Sequence, residues 1–248
     1  MHLWPEHLVL VRHGQSIGNV ARERALAEGA ALIHIDAVTD SDVPLSPLGR
    51  EQSQALGRWF AGNEKAFDPI LTSPFKRAAE TAELMREAAG WEGARIVADA
   101  RLGEKGFGEL DRLTRAGIAE RFPEQVALRH KLGKMHYRPP GGESWDDVIV
   151  RLRGVADSLK SEHAGKRVAI VSHQVIVVCL RYLLENLSEE QLLAIDRGGD
   201  VANCSITEYR YDPAASALRL ERFNFSVPVA EQGAPVTAEP SQSAVQSN

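Results

Sequence analysis

Leu8-Val9-Leu10-Val11 is an unbroken apolar run that gives way at once to Arg12-His13-Gly14, and the same form returns where Val168-Ala169-Ile170-Val171 closes on Ser172-His173. Continuous hydrophobicity marks a strand buried on both faces, the condition of a parallel sheet covered by helices. Ile70-Leu71 and Ile96-Val97 are shorter candidates for neighbouring strands. Between these runs lie apolar residues at helical spacing: Leu48, Ala55, Leu56, Trp59 and Phe60 in one stretch, and Val148, Ile149, Leu152, Val155, Ala156 and Leu159 in another. A third helical stretch runs from Val175 to Leu187. Strands alternating with helices predict an α/β three-layer sandwich, a mainly parallel sheet flanked by helices on both faces. In such sheets ligands bind beyond the carboxyl ends of the strands.

Two segments depart from the alternation. Residues 104–142 are rich in glycine, charge and short amphipathic pieces, and read as an insertion over the active site rather than a second domain. Ser205–Tyr211 and Leu218–Phe223 flank Asp212-Pro213 as a hairpin. Residues 227–248 hold no aromatic, leucine or isoleucine residue and are dense in Pro, Gln, Ser and Ala, which predicts a disordered tail after a single domain spanning 1–226.

A chain of 248 residues with 44% hydrophobic content has material for one sizeable core. The net charge of -5 argues against a nucleic-acid partner, which selects for a basic face. The basic cluster Arg129, His130, Lys131 and Lys134 reads as a solvated helix face. There is no apolar run long enough to span a membrane and no basic leader before an apolar signal core, so a cytoplasmic address is expected. Cys179 and Cys204 lack the spacings of metal sites or disulfide frameworks and are expected to be buried small hydrophobes. The sequence leaves the oligomeric state open, a homodimer included.

Arg12-His13-Gly14 follows the first strand, where the sheet holds the backbone rigidly and exposes the side chain. A neutral imidazole there can attack phosphorus directly, dividing one difficult displacement into two easier ones. His173 is placed equivalently after another buried strand, so both histidines can face one pocket. A transferring phosphoryl group spreads negative charge over its oxygens and needs fixed cationic donors. Arg12 is adjacent, and Arg77 in Thr72-Ser73-Pro74-Phe75-Lys76-Arg77 follows the Ile70-Leu71 strand. A guanidinium stays charged and grips phosphate oxygens bidentately.

VRHGQSIGN (11–19), TSPFKRAAET (72–81), VSHQ (171–174) and PPGGES (139–144) together resemble the histidine phosphatase, or phosphoglycerate-mutase-like, superfamily across roughly residues 7–225. The resemblance implies an α/β sandwich, no metal or other cofactor, and His13 as the phosphorylated nucleophile. Arg12, Arg77 and His173 would bind the phosphoryl group of a small phosphate ester. Asn19 would contribute to the pocket, and Gln15, Ser16 and Gln174 complete the candidate binding set.

A leaving alkoxide also needs a proton. Some branches of the family place the acid directly after the second histidine, where this chain has Gln174, which cannot serve. The other family position, a glutamate after the third strand, looks like Glu104 in Arg101-Leu102-Gly103-Glu104, with Glu109 and Asp111 as rivals. Glu143 and Ser144 either touch substrate or cap the next helix. A phosphatase is the leading expectation. A phosphoglycerate mutase shares the chemistry, but Lys105-Gly106 and Gln174 depart from its pattern. The context VSHQVIVVCLRYLL is nearer fructose-2,6-bisphosphatase domains. A non-catalytic phosphate-binding module would be expected to have lost one of His13, Arg77, Glu104 or His173, and none is missing. A metal hydrolase lacks support, since no helical His-x-x-x-His pair is present.

Overall fold

A computed structural model describes residues 3–238 of the chain. The elements run β1 (His7–Arg12), α1 (Ile17–Ala27), α2 (Pro47–Asn63), β2 (Ile70–Thr72), α3 (Lys76–Ala88), β3 (Ile96–Ala98), α4 (Arg115–Arg121), α5 (Pro123–His136), α6 (Trp145–Glu162), β4 (Arg167–Ser172), α7 (Gln174–Leu184), α8 (Glu189–Arg197), β5 (Ile206–Asp212), β6 (Ala217–Phe225) and α9 (Val227–Glu231). The sheet order is β3-β2-β4-β1-β5-β6. The first four of these positions are parallel, and the β5–β6 hairpin completes the sheet, β5 antiparallel to β1 and β6 antiparallel to β5. The expected mainly parallel sandwich is thus observed, with the hairpin as its antiparallel edge.

Burial on both faces follows the alternation of side chains along each strand. Leu8, Leu10, Leu71, Val168 and Ile170 pack with α6 and α7 on one side. Val9, Val11, Ile70, Ala169 and Val171 pack with α2 and α3 on the other. Each such side chain contributes about 1.5–3 kcal/mol by leaving water, so either face stripped of its helices would be untenable. The helices start where the sequence supplies caps. The Ser46 hydroxyl accepts the Gly49 amide at 3.0 Å ahead of Pro47, and Ser144 forms a capping box with Asp147.

Residues 104–142 build α4 and α5 around a small cluster of Leu110, Leu113 and Tyr137, with Leu32 against it. Of the basic cluster on α5, Lys134 pairs with Asp196 of α8 at 2.5 Å and lies over the Trp145 ring, whereas His130 and Lys131 are exposed. Both cysteines are buried and unpaired. The expected disordered tail is corrected over 227–238. Val227–Glu231 is helical, and Val229 and Ala234 are buried in the α2-side core. Composition misleads here because two small apolar residues suffice to dock a short segment onto a core that already exists. Residues 239–248, the rest of that expected tail, lie outside the described residues.

Candidate active site

The parallel register pairs Arg12 of β1 with Ser172 of β4, so the next residue on each strand, His13 and His173, leaves the sheet at the same level. Their ring centroids are 5.1 Å apart. Thr72 of β2 pairs with Val171, which brings the segment Ser73–Arg77 to the same edge. There the Ser73 hydroxyl lies 2.8 Å from His173 Nε2. Close approach of the His13 loop to α2 requires glycine on both sides: a Cβ at Gly14 would meet the Gly49 carbonyl oxygen at 2.4 Å, and one at Gly49 would meet the Gln15 oxygen at 1.9 Å.

His13 Nδ1 is 2.7 Å from the Gly14 carbonyl oxygen. A carbonyl only accepts, so the proton belongs on Nδ1 and the Nε2 lone pair is left for chemistry. The Nδ1 of His173 is buried with no hydrogen-bond partner among the described residues. Burial, and then the charges of Arg77 and Arg12, hold the pKa of His13 well below its ordinary 6.5. Burial first, and then Arg77, His13 and Arg12, depress His173 in the same way. Both imidazoles are therefore neutral near pH 7. Arg12 is 1% exposed, and its guanidinium donates to the Val201 carbonyl. Arg77 is held as a fork by Asp40, with Nη1–Oδ1 at 3.1 Å and Nη2–Oδ2 at 3.0 Å, and packs over the Phe75 ring. The amino ends of α1, α3 and α7 open at this edge and add partial positive charge to it.

Glu104 lies in the segment after β3 and is half-buried; its Oε1 accepts the Lys105 amide at 2.8 Å. Two side chains fasten this segment to the site edge. The Ser172 hydroxyl donates to the Leu102 carbonyl at 2.8 Å, and Arg151 of α6 donates to the carbonyls of Arg101 and Glu104. Glu109 and Asp111, the rivals, are exposed. Glu143 carries no cap. It holds Arg151 at 2.8 Å and accepts the Gly106 amide at 2.9 Å, while Ser144 caps α6.

The remaining candidates are engaged within the protein. Ser16 and Asn19 form the capping box of α1. Gln15 accepts the Ser46 hydroxyl at 2.7 Å, and Gln174 donates to Asp200. Sequence reasoning missed Asp40, Arg151 and Asn203, whose Nδ2 donates to the His13 carbonyl at 2.9 Å. Ser73 stood in a quoted motif without a role. None of these carries a local signal, because each partner is distant in sequence.

Two buried, neutral histidines lie together under the charge of Arg12 and Arg77 at the carboxyl edge of the sheet. The histidine phosphatase superfamily (branch 1) matches residues 8–224, and the chain belongs to that family. It is 32% identical over 191 residues to 2,3-bisphosphoglycerate-dependent phosphoglycerate mutase 2 of Gloeobacter violaceus, covering 76% of this chain and 80% of that protein. It is 30% identical over 190 residues to the 6-phosphofructo-2-kinase/fructose-2,6-bisphosphatase of Gallus gallus, covering 76% of this chain but only 35% of that protein. Among solved structures, mycobacterial glucosyl-3-phosphoglycerate phosphatase in complex with inorganic phosphate superposes with a TM-score of 0.68 at 27% identity, over 90% of this chain and 99% of the other.

Proposed function

We propose that this protein is a metal-independent phosphatase that hydrolyses a small phosphorylated metabolite through a phosphohistidine on His13. The observation that carries the reading is the His13–His173 pair, 5.1 Å apart, buried and kept neutral between Arg12 and Arg77. A protonated imidazole has no lone pair to give, so the depressed pKa keeps His13 nucleophilic. Its Nε2 attacks phosphorus, the N–P bond forms as the ester P–O bond breaks, and Glu104 delivers its proton to the departing alkoxide. Gly14 accepts from Nδ1–H and so stabilises the cationic phosphoimidazole. Arg12, Arg77 and the Nδ1–H of His173 grip the equatorial oxygens. In the second step the Glu104 carboxylate takes a proton from water, whose oxygen attacks phosphorus as the N–P bond to His13 breaks. Inorganic phosphate leaves and neutral His13 is regenerated.

No metal ion is needed in this scheme. Among the described residues one cluster has the composition of a metal site, His7, Glu64 and Glu208, at the start of β1 and so at the opposite edge of the sheet. Arg167, Arg210 and Arg222 already pair with its carboxylates, the first at 2.6 Å from Glu64, and their charge opposes a bound cation.

Selectivity is assigned to residues 104–142. Within them the ammonium of Lys105 is 8% exposed, rests 4.5 Å over the Phe107 ring, and has its pKa pushed down to about 8, chiefly by burial. The relatives that carry mutase names favour a second reading, return of the phosphoryl group to another hydroxyl. One experiment addresses both. A panel of phosphoglycerates and sugar phosphates, assayed for free phosphate and isomerised product, should show phosphate from the parent and none from His13→Ala. Isomer without phosphate would replace the phosphatase by the mutase, and hydrolysis surviving above a few per cent in His13→Ala would remove the nucleophile.

A further inference from the structure

Two buried carboxamides hold the backbone of the His13 loop, one from the segment before β5 and one from α2. Asn203 Nδ2 donates to the His13 carbonyl at 2.9 Å, and Gln52 Oε1 accepts the Gln15 amide at 2.8 Å. Gln52 and Asn203 are 0% and 1% exposed, so each end of each amide must find a partner within the protein. A carboxamide has a donating end and an accepting end. Asn203 therefore serves the loop only with its NH2 turned towards His13, and Gln52 only with its oxygen turned towards Gln15.

Main-chain partners fix which way each carboxamide faces, and one hydroxyl joins their other ends. Thr237 Oγ1 donates to Asn203 Oδ1 at 3.0 Å and accepts from Gln52 Nε2 at 2.9 Å. The main chain reinforces it: the Thr237 carbonyl accepts the Asn203 amide at 2.8 Å, and the Pro235 carbonyl accepts Gln52 Nε2 at 2.8 Å. The segment is fastened upstream by buried Val229 and Ala234 and by Trp59 Nε1 donating to Glu231 at 3.1 Å. The same hydroxyl thus braces, one against the other, the two groups that clamp the backbone on either side of Gly14, whose own carbonyl fixes the His13 ring.

We infer that residues 234–238 are a strap that positions His13 for attack, and that Thr237, acting through Asn203 and Gln52, is a positioning residue for phosphoryl transfer. The inference rests on His13 being the nucleophile. Thr237 touches neither substrate nor His13, so its loss should leave phosphate binding by Arg12, Arg77 and His173 intact and should slow the step that depends on the direction of the Nε2 lone pair. Small misplacements of a reacting group are costly in rate, up to about 100-fold for an ångström.

Thr237→Val removes the hydroxyl while keeping the branched shape, and Thr237→Ser restores the hydroxyl. With an aryl phosphate as substrate, Thr237→Val should lower kcat about 10-fold with KM changed less than about twofold, and Thr237→Ser should return kcat to within about threefold of the parent. A chain ending at Gly233 should lose at least as much, with far-UV circular dichroism giving the folded fraction of each variant. Parental kcat in Thr237→Val, a loss that vanishes once corrected for folded fraction, or a serine variant no better than valine would each overturn the strap. His13→Ala run alongside separates the two readings. An inert His13→Ala with an unaffected Thr237→Val refutes the strap alone, whereas an active His13→Ala refutes the nucleophile.

Discussion

Two buried neutral histidines should make this protein unusually sensitive to mild acid. The folded-state pKa of both His13 and His173 lies well below 6.5, the value each takes when solvated in the unfolded chain. Well above pH 6.5 neither state binds these protons, and no stability is at stake. Below it the unfolded chain takes up two protons that the folded chain refuses, so stability is lost as pH falls. A full proton difference is worth about 1.4 kcal/mol per pH unit, so if both folded histidines stay neutral throughout, the unfolded-state titration from pH 7 to 5 sets an upper bound of about 2 kcal/mol per histidine, or about 4 kcal/mol for the pair. Against a net stability of roughly 5–15 kcal/mol that is a large fraction. Urea unfolding followed by circular dichroism, at pH 7 and pH 5 in phosphate-free buffer, should show the parent losing up to about 4 kcal/mol more than the double variant His13→Gln, His173→Gln, equivalent to up to roughly 1.3–4 M urea in midpoint. Every other titrating group is common to the two proteins and cancels. Parallel loss in both would refute neutral burial of the pair, and with it the electrostatic basis of the nucleophile.

The other expectations concern the charges around the phosphoryl group. Arg77→Ala should cost about 10²–10³ in kcat on an aryl phosphate, since it removes a donor from the developing charge; a loss under about fivefold would show that the Asp40-held fork does not reach the phosphoryl oxygens. Glu104→Gln should lower kcat on alkyl phosphates by about 10²–10⁴ and on a nitrophenyl phosphate far less in the first step, because a good leaving group needs no proton; equal losses on both would reassign the acid. Asp40→Asn should lower the KM for phosphate esters by up to about fivefold. Its carboxylate, whose side chain is 42% exposed, competes for the Arg77 fork, and such solvent-screened pairs are worth under about 1 kcal/mol. An unchanged or higher KM would make Asp40 a support for Arg77 rather than a competitor.

The parts of this site readable in the sequence are those fixed by strand ends. The runs Leu8–Val11 and Val168–Val171 locate two interior strands without any knowledge of their partners, because burial on both faces erases the alternation of an exposed strand. Once both are parallel neighbours, the polar residue after each must share an edge, and His13 meets His173 as a consequence of register. Arg77 and Glu104 follow the same logic from shorter runs. The Ile96–Ala98 strand is half-exposed at the sheet's end and so leaves a fainter pattern, which is why Glu104 had sequence rivals.

Polar contacts that hold the site in shape leave no such trace. Asp40 reaches Arg77 across 37 positions, Arg151 reaches Arg101 across 50, and Thr237 reaches Gln52 across 185. Each is a single hydrogen-bonding group whose meaning depends wholly on what folds beside it, whereas periodicity reports only the average polarity of a face. The terminal segment is the sharpest case. Its Pro, Gln, Ser and Ala are too polar to nucleate a core of their own, and by composition they predict disorder. Docking needs far less: the core and the two carboxamides are already in place, and Val229, Ala234 and Thr237 have only to complete them. A segment that cannot fold alone is thereby ordered by the core it docks on, and within its described residues the Thr237 hydroxyl links it to the carboxamides that hold the His13 loop.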